Sequence, residues 1–261
     1  MKANSVAVVV LSMVLTGIAS AQNSFLYDDF SQPLLNSHKW AMIDTCFSSN
    51  NQEMECIRGV QDGALLLAHR NFGQRDSDVG SQFGGAFVNF INPGLIKSIT
   101  ADVVVRDIEE SPCAANPELG GAVHIDGTFF NAGSGNSTDD VGAQFGFSRR
   151  VSDPKGQIQI WALIFQDFNY FGFVSLGFVS LGTPVTATLA WDQPNHQFIA
   201  SATNNVTHAK KRVLLPYTMS DTTAATNPAK DFSVNNFPAN CTNNPTWVYA
   251  DATFDNVYVA K

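Results

Sequence analysis

The sequence predicts an all-β protein, a two-sheet antiparallel β-sandwich. Three observations lead there: apolar residues recur with period two, turn-forming clusters fall between those runs, and no helix-period run follows the first 21 residues. Ile99, Ala101, Val103 and Val105 alternate with Thr100, Asp102, Val104 and Arg106. Val141, Ala143, Phe145 and Phe147 alternate with Gly142, Gln144, Gly146 and Ser148, and Val185, Ala187, Leu189 and Trp191 with Thr186, Thr188, Ala190 and Asp192. Side chains two apart share a face of a strand, so each run is a half-buried strand. Asn92-Pro93-Gly94, Ser134-Gly135-Asn136, Asp153-Pro154-Lys155-Gly156 and Gln193-Pro194-Asn195 mark the turns. The two last-named clusters each join good strands and read as hairpins. About a dozen strands at this short spacing are what a sandwich uses.

Taken in chain order, residues 1–21 stand apart. Lys2, the apolar run Val6 to Ile18 and Ala19-Ser20-Ala21 have the layout of a secretory signal peptide, with Gln22 as the expected mature start. The apolar run is shorter than the roughly 20 residues a membrane-spanning helix needs. The expectation is a secreted, periplasmic or cell-surface protein without a membrane span, and one domain over residues 22–261. The even set Cys46, Cys56, Cys113 and Cys241 reads as two disulfides, for which three pairings exist. The short polar loop between Cys46 and Cys56 favours that pair, leaving Cys113–Cys241; zinc is set aside because no Cys-x-x-Cys occurs.

Gln157 to Phe165 is apolar on both faces, as in a central strand. Gly172 to Leu181 repeats Gly-Phe-Val-Ser-Leu twice, and because the repeat is odd a bulge or turn near Gly177 is needed to keep the register. The stretch Asp221 to Lys230 reads as a loop before the last two strands.

Composition narrows the function classes. Hydrophobic residues make up 44% and charged ones 15%, which excludes a disordered chain. Lys and Arg number 15 against 23 Asp and Glu, with no basic block, so nucleic acid is not an expected partner. No phosphate-binding loop, dinucleotide fingerprint or Gly-x-Ser-x-Gly elbow is present.

Both ends of the mature chain then carry landmarks. Leu26-Tyr27-Asp28-Asp29-Phe30-Ser31 with Trp40, Gly63-Ala64-Leu65-Leu66-Leu67, Leu189-Ala190-Trp191-Asp192 with Gln197-Phe198, and Ala252 to Val259 resemble the opening, early strand, Trp hairpin and closing strand of concanavalin A-like lectin/glucanase (LamG-like) domains. The resemblance implies a jelly roll with one sheet face that often binds sugars. It also implies that Asp28, Asp29 and Asp255 come together, where such domains often hold a structural calcium.

The Glu-x-Asp-x-x-Glu motif of laminarinase-type hydrolases is missing. Its nearest match is Glu53-Met54-Glu55-Cys56-Ile57-Arg58, which offers Glu53 and Glu55 but puts Arg58 in place of the last Glu. The expected function is therefore a non-catalytic carbohydrate-binding or cell-surface protein whose partner is a polysaccharide or surface glycan. An exported hydrolase with a degenerate motif and a structural envelope protein are the alternatives. Sugar rings need a flat aromatic beside planar hydrogen-bonding groups. Ile158, Ile160 and Ile164 carry no polar atoms and fill the core better than the opposite face. That places Trp161, Gln157 and Gln159 on the open face, with Gln144 and Arg149 or Arg150 from the neighbouring strand. His124 and Asp126 share a strand face as a further imidazole–carboxylate pair. Three glycosylation sequons begin at Asn136, Asn205 and Asn240.

Overall fold

The computed structural model describes residues 23–41, 46–48, 54–73, 83–111, 120–150, 152–167, 169–238 and 246–261. Among them sixteen strands build two antiparallel sheets. Sheet I contains β1 (Phe25–Asp28), β3 (Met54–Gln61), β4 (Ala64–Phe72), β6 (Ser98–Glu110), β11 (Val185–Asp192), β12 (Gln197–Asn204), β13 (Lys210–Pro216) and β16 (Trp247–Ala260). Sheet II contains β2 (Cys46–Ser48), β5 (Gly84–Asn89), β7 (Gly120–Asn131), β8 (Asp140–Arg150), β9 (Gln157–Gln166), β10 (Asn169–Ser180), β14 (Thr223–Ala224) and β15 (Lys230–Phe237). The order in sheet I is β13-β12-β11-β6-β16-β4-β3, with β1 also on β16. In sheet II it is β10-β9-β8-β7-β15-β5-β2, with β14 on β7. The predicted all-β two-sheet sandwich is thus the observed fold. No described helix is long and apolar enough to cross a membrane.

The period-two runs do what alternation dictates. Ile99, Ala101, Val103 and Val105 of β6, Val141 to Phe147 of β8 and Val185 to Trp191 of β11 send their apolar set between the sheets. Ile158, Ile160, Ala162 and Ile164 of β9 join them, while Trp161 and Leu163 do not belong to that core. Each fully buried large aliphatic or aromatic side chain contributes about 1.5–3 kcal/mol. The hairpins before β9 and before β12 form as read, the second through a 3-10 turn over Gln193–Asn195.

The tandem repeat lies in β10, and its register against β9 shifts between Ser175 and Gly177, with Gly177 at φ 99°. The extra residue per copy is absorbed there because glycine alone takes that conformation without strain. β10 is an edge strand, and most of it is exposed. The stretch before Lys230 is a loop with one addition, the two-residue β14. Cys46 and Cys56 are bonded, and their strands are the last of sheet II and sheet I, so the bridge ties the two sheets at one edge. The signal-peptide residues, Cys113, Cys241, Glu53 and the Asn240 sequon lie outside the described residues.

The landmark residues at the chain's start form one plug. Trp40 is fully buried, and its indole Nε1–H donates to Asp28 Oδ2 at 2.7 Å. Phe30 stacks on it, and Phe90 and Phe232 pack around it. Asp28 also pairs with Lys39 at 3.4 Å and caps Phe30 N. Trp40→Phe keeps a ring but strands a buried carboxylate oxygen. The variant is expected to lose about 2–4 kcal/mol in urea unfolding. A loss within error of zero would show that the plug does not anchor the N-terminal strand.

Candidate functional site

Alternation also decides what sheet II shows to the outside. Core-side pairs Val123↔Val234 and Ile125↔Phe232 set the register of β7 against β15. The intervening residues then point outward: Asp126 opposite Asp231, His124 opposite Ser233, and Ala122 opposite Asn235. On the other side of β7, Gln144 of β8 pairs with Asp126, and Gly146 with His124. Trp161 of β9 follows in the row after Gly146, and Ser175 of β10 after Trp161.

The polar groups in this patch are linked. Gln144 Nε2 donates to Asp126 Oδ2 at 2.6 Å. Asn235 Nδ2 lies 2.9 Å from His124 Nδ1 and 3.3 Å from Ser233 Oγ. Asn235 can only donate there, so His124 Nδ1 accepts and its proton sits on Nε2. That Nε2, Asn235 Oδ1 and Asp231 Oδ1 are buried without a hydrogen-bond partner among the described residues. His124 and Asn235 are each 5% exposed and Asp231 9%. Unsatisfied buried groups in a native fold need an explanation, and a ligand is one.

The charges follow from burial. Burial pushes the Asp126 carboxyl up to about 6, against the pull of its Gln144 hydrogen bond and of Lys230. Asp231 is raised well above the usual carboxylate range, by burial first and then by the charge of Asp126. Two carboxylates facing each other across neighbouring strands resist being ionised together. Lys230 sits on the core side with its ammonium 3.9 Å above the Phe129 ring and donates to Thr128 O. Burial pushes it down to about 7, while Asp126 and Asp231 hold it up. Burial likewise pushes His124 down to about 4, so its ring is neutral near pH 7.

Trp161 occupies the predicted outer face but is not open to solvent. It is 7% exposed, and its Nε1–H donates to Ser148 Oγ at 2.9 Å. Gly146 makes the slot for it: a Cβ there would stand 2.3 Å from the indole. His124 and Phe173 flank the ring. The exposed platform expected of Trp161 is supplied instead by β10, where Tyr170, Phe173 and Phe178 are 62%, 54% and 46% exposed. The electrostatic influence of Asp126 on the Tyr170 phenol, a secondary contribution to its raised pKa, ties this row to the carboxylate pair.

The other expected residues fall as follows. Gln157 is exposed on the same face, and Gln159 donates to Ser175 Oγ at 3.1 Å. Arg149 is engaged with Glu110 at 2.5 Å and does not join the patch. Glu55 lies on β3 of sheet I in an exposed ion pair with Arg70 at 2.8 Å. At the chain ends, β1 pairs with β16 with Asp28 opposite Val257, and Asp255 is raised by burial first and then by the charges of Asp102, Asp29 and Asp28. Among the described residues, no group of three His, Cys, Asp or Glu side chains is arranged to hold a metal ion.

Sequence reasoning paired His124 with Asp126 but missed Asp231, Asn235 and the β10 rings. The odd repeat was the available signal for the rings, since its bulge turns Phe173 and Phe178 outward on an edge strand.

No protein-family model and no curated protein matches the chain. Similar solved structures include the Scytalido-glutamic peptidase with a peptide-based transition state analog, at 17% identity over 66% of this chain and 73% of that one, TM-score 0.38. Lectin II from Ulex europaeus is 10% identical over 82% and 99%, TM-score 0.34. The CBM2 module of the Lactobacillus casei BL23 phage J-1 evolved Dit is 10% identical over 92% and 98%, TM-score 0.39.

A raised carboxyl stabilises the fold while protonated, and that contribution is lost as pH rises from the ordinary value of 3.8 through about 6. Asp126→Asn is therefore expected to exceed the parent in stability at pH 7 by about 1–3 kcal/mol, the gap closing between pH 6 and pH 4. Urea unfolding across that range checks it; a gap that does not change with pH contradicts the assignment.

Proposed function

We propose that this is an exported carbohydrate-binding β-sandwich and that the outer face of sheet II is its binding surface. The observation that carries the reading is the exposed row Tyr170, Phe173 and Phe178 beside the polar groups of Gln157, Gln159, Gln144 and Asp126. Aromatic rings left in water cost burial energy the fold could otherwise use. Beside planar donors and acceptors, they match a pyranose, whose faces are apolar and whose rim is polar. The Cys46–Cys56 bridge supports an oxidising compartment outside the cytosol. Hydrolysis through Glu53 and Glu55 gains no support, because Glu55 is ion-paired on the opposite sheet. The carboxylates at the chain ends remain the place proposed for a structural calcium, and calcium-dependent melting would show it.

Glycan-array binding followed by calorimetry with any hit is the experiment. Tyr170→Ala and Phe173→Ala should each weaken binding about five- to fifty-fold, about 1–2 kcal/mol, with melting temperature nearly unchanged because the rings are exposed. No reducing sugar should be released. Unaltered affinity in both variants would move the site elsewhere, and release that disappears in Asp126→Asn would make the protein an enzyme.

A further inference from the structure

The aromatic row explains affinity for a sugar ring but not the groups beside it. Asp126 and Asp231 stand directly opposite each other on β7 and β15, on the same outward face. The cation acting on both is Lys230, whose ammonium is turned to the core side, over Phe129 and onto a backbone carbonyl. Tyr170 of β10 is electrostatically linked to Asp126, His124 of β7 is neutral, and Gln144 of β8 is uncharged. Among the described residues, the cation acting on the two adjacent outward carboxyls is thus this core-side ammonium. Independently of the pair, His124 Nε2, one outward position along, and Asn235 Oδ1, two along, are buried without a partner among the described residues, in residues each 5% exposed. These leave an unused acceptor and an unused donor. The whole chain carries a net charge of -8, which favours a cationic partner at long range.

We propose that this face selects glycans bearing free primary amines, that is, unacetylated hexosamine units. The Asp126–Asp231 pair receives the ammonium of one unit, and another ring of the same oligosaccharide lies on Tyr170 and Phe173. The proposal rests on the glycan reading above and specifies its substrate class. A ligand ammonium supplies the opposite charge that the facing carboxylates lack, which neither a hydroxyl nor an acetamide does.

Three hexasaccharides with the same β-1,4-linked backbone separate the possibilities, because they differ at C2: cellohexaose carries a hydroxyl, the chitin hexamer an acetamide, the fully deacetylated chitosan hexamer an ammonium. Calorimetry at pH 6 with the unmodified protein should give at least tenfold tighter binding of the chitosan hexamer than of the other two. Raising salt should reduce that preference. Asp126→Asn and Asp231→Asn should each bring it to near unity by weakening chitosan-hexamer binding. Glu109→Gln, an exposed acid of sheet I, should leave the preference intact. Equal affinity for all three overturns the amine selection and leaves the glycan reading standing. A preference that survives both Asp variants shows charge attraction without this site and also overturns it. Failure of all three to bind removes the glycan reading and the selection together.

Discussion

The register between β7 and β15 determines the outer face of sheet II. It is set from inside: Val123 against Val234 and Ile125 against Phe232 fill the core, and a one-residue slip of either strand would drive its own outward set, Asp126 and His124 or Asp231 and Ser233, into it. Burying a carboxyl without a partner costs far more than such a slip could return in hydrogen bonds. The apolar core therefore fixes the carboxyl–carboxyl contact outside. The energy that holds the pair comes from residues packed between the sheets.

This arrangement is expensive locally. Among the described residues, Asp231, Asn235 and His124 each keep an unpartnered buried atom, and burial in the core pulls the Lys230 ammonium down to about 7. A sandwich selected only for stability would replace these groups with apolar ones, as buried ionic groups often can be. Beside them, Gly142 and Gly146 of β8 make room for Phe165 and Trp161, whose rings would collide with a Cβ at either position. The rings thus form one wall of the patch and the carboxyls the other. Trp161 supports this wall, fixed by Ser148 and flanked by His124 and Phe173, and the exposed rings belong to β10.

The fold was legible because period-two alternation reports the core directly, and β6, β8, β9 and β11 all bury the side the sequence indicates. The odd tandem repeat located the bulge at Gly177 for the same reason. The site was less legible. Which strands become neighbours is a long-range property, so the facing of Asp126 and Asp231, more than a hundred positions apart, has no local signature. The burial of Trp161 depends on a glycine of another strand, and a periodicity argument sees only the face, not the slot. His124 and Asp126 were visible as a pair because both lie on β7. Arg149 was misplaced because its partner Glu110 comes from the opposite sheet.

The four tryptophans report on the account separately. Trp40 and Trp191 are buried between the sheets, Trp247 lies by Arg70 on sheet I, and Trp161 alone stands on the outer face of sheet II. The indole N–H signals in a nitrogen–proton correlation spectrum, titrated with a bound oligosaccharide, therefore give the most direct measurement. A shift confined to the Trp161 signal, absent from Trp40, Trp191 and Trp247, is the predicted result. A shift at Trp247 with Trp161 unmoved would place binding on sheet I and contradict the account.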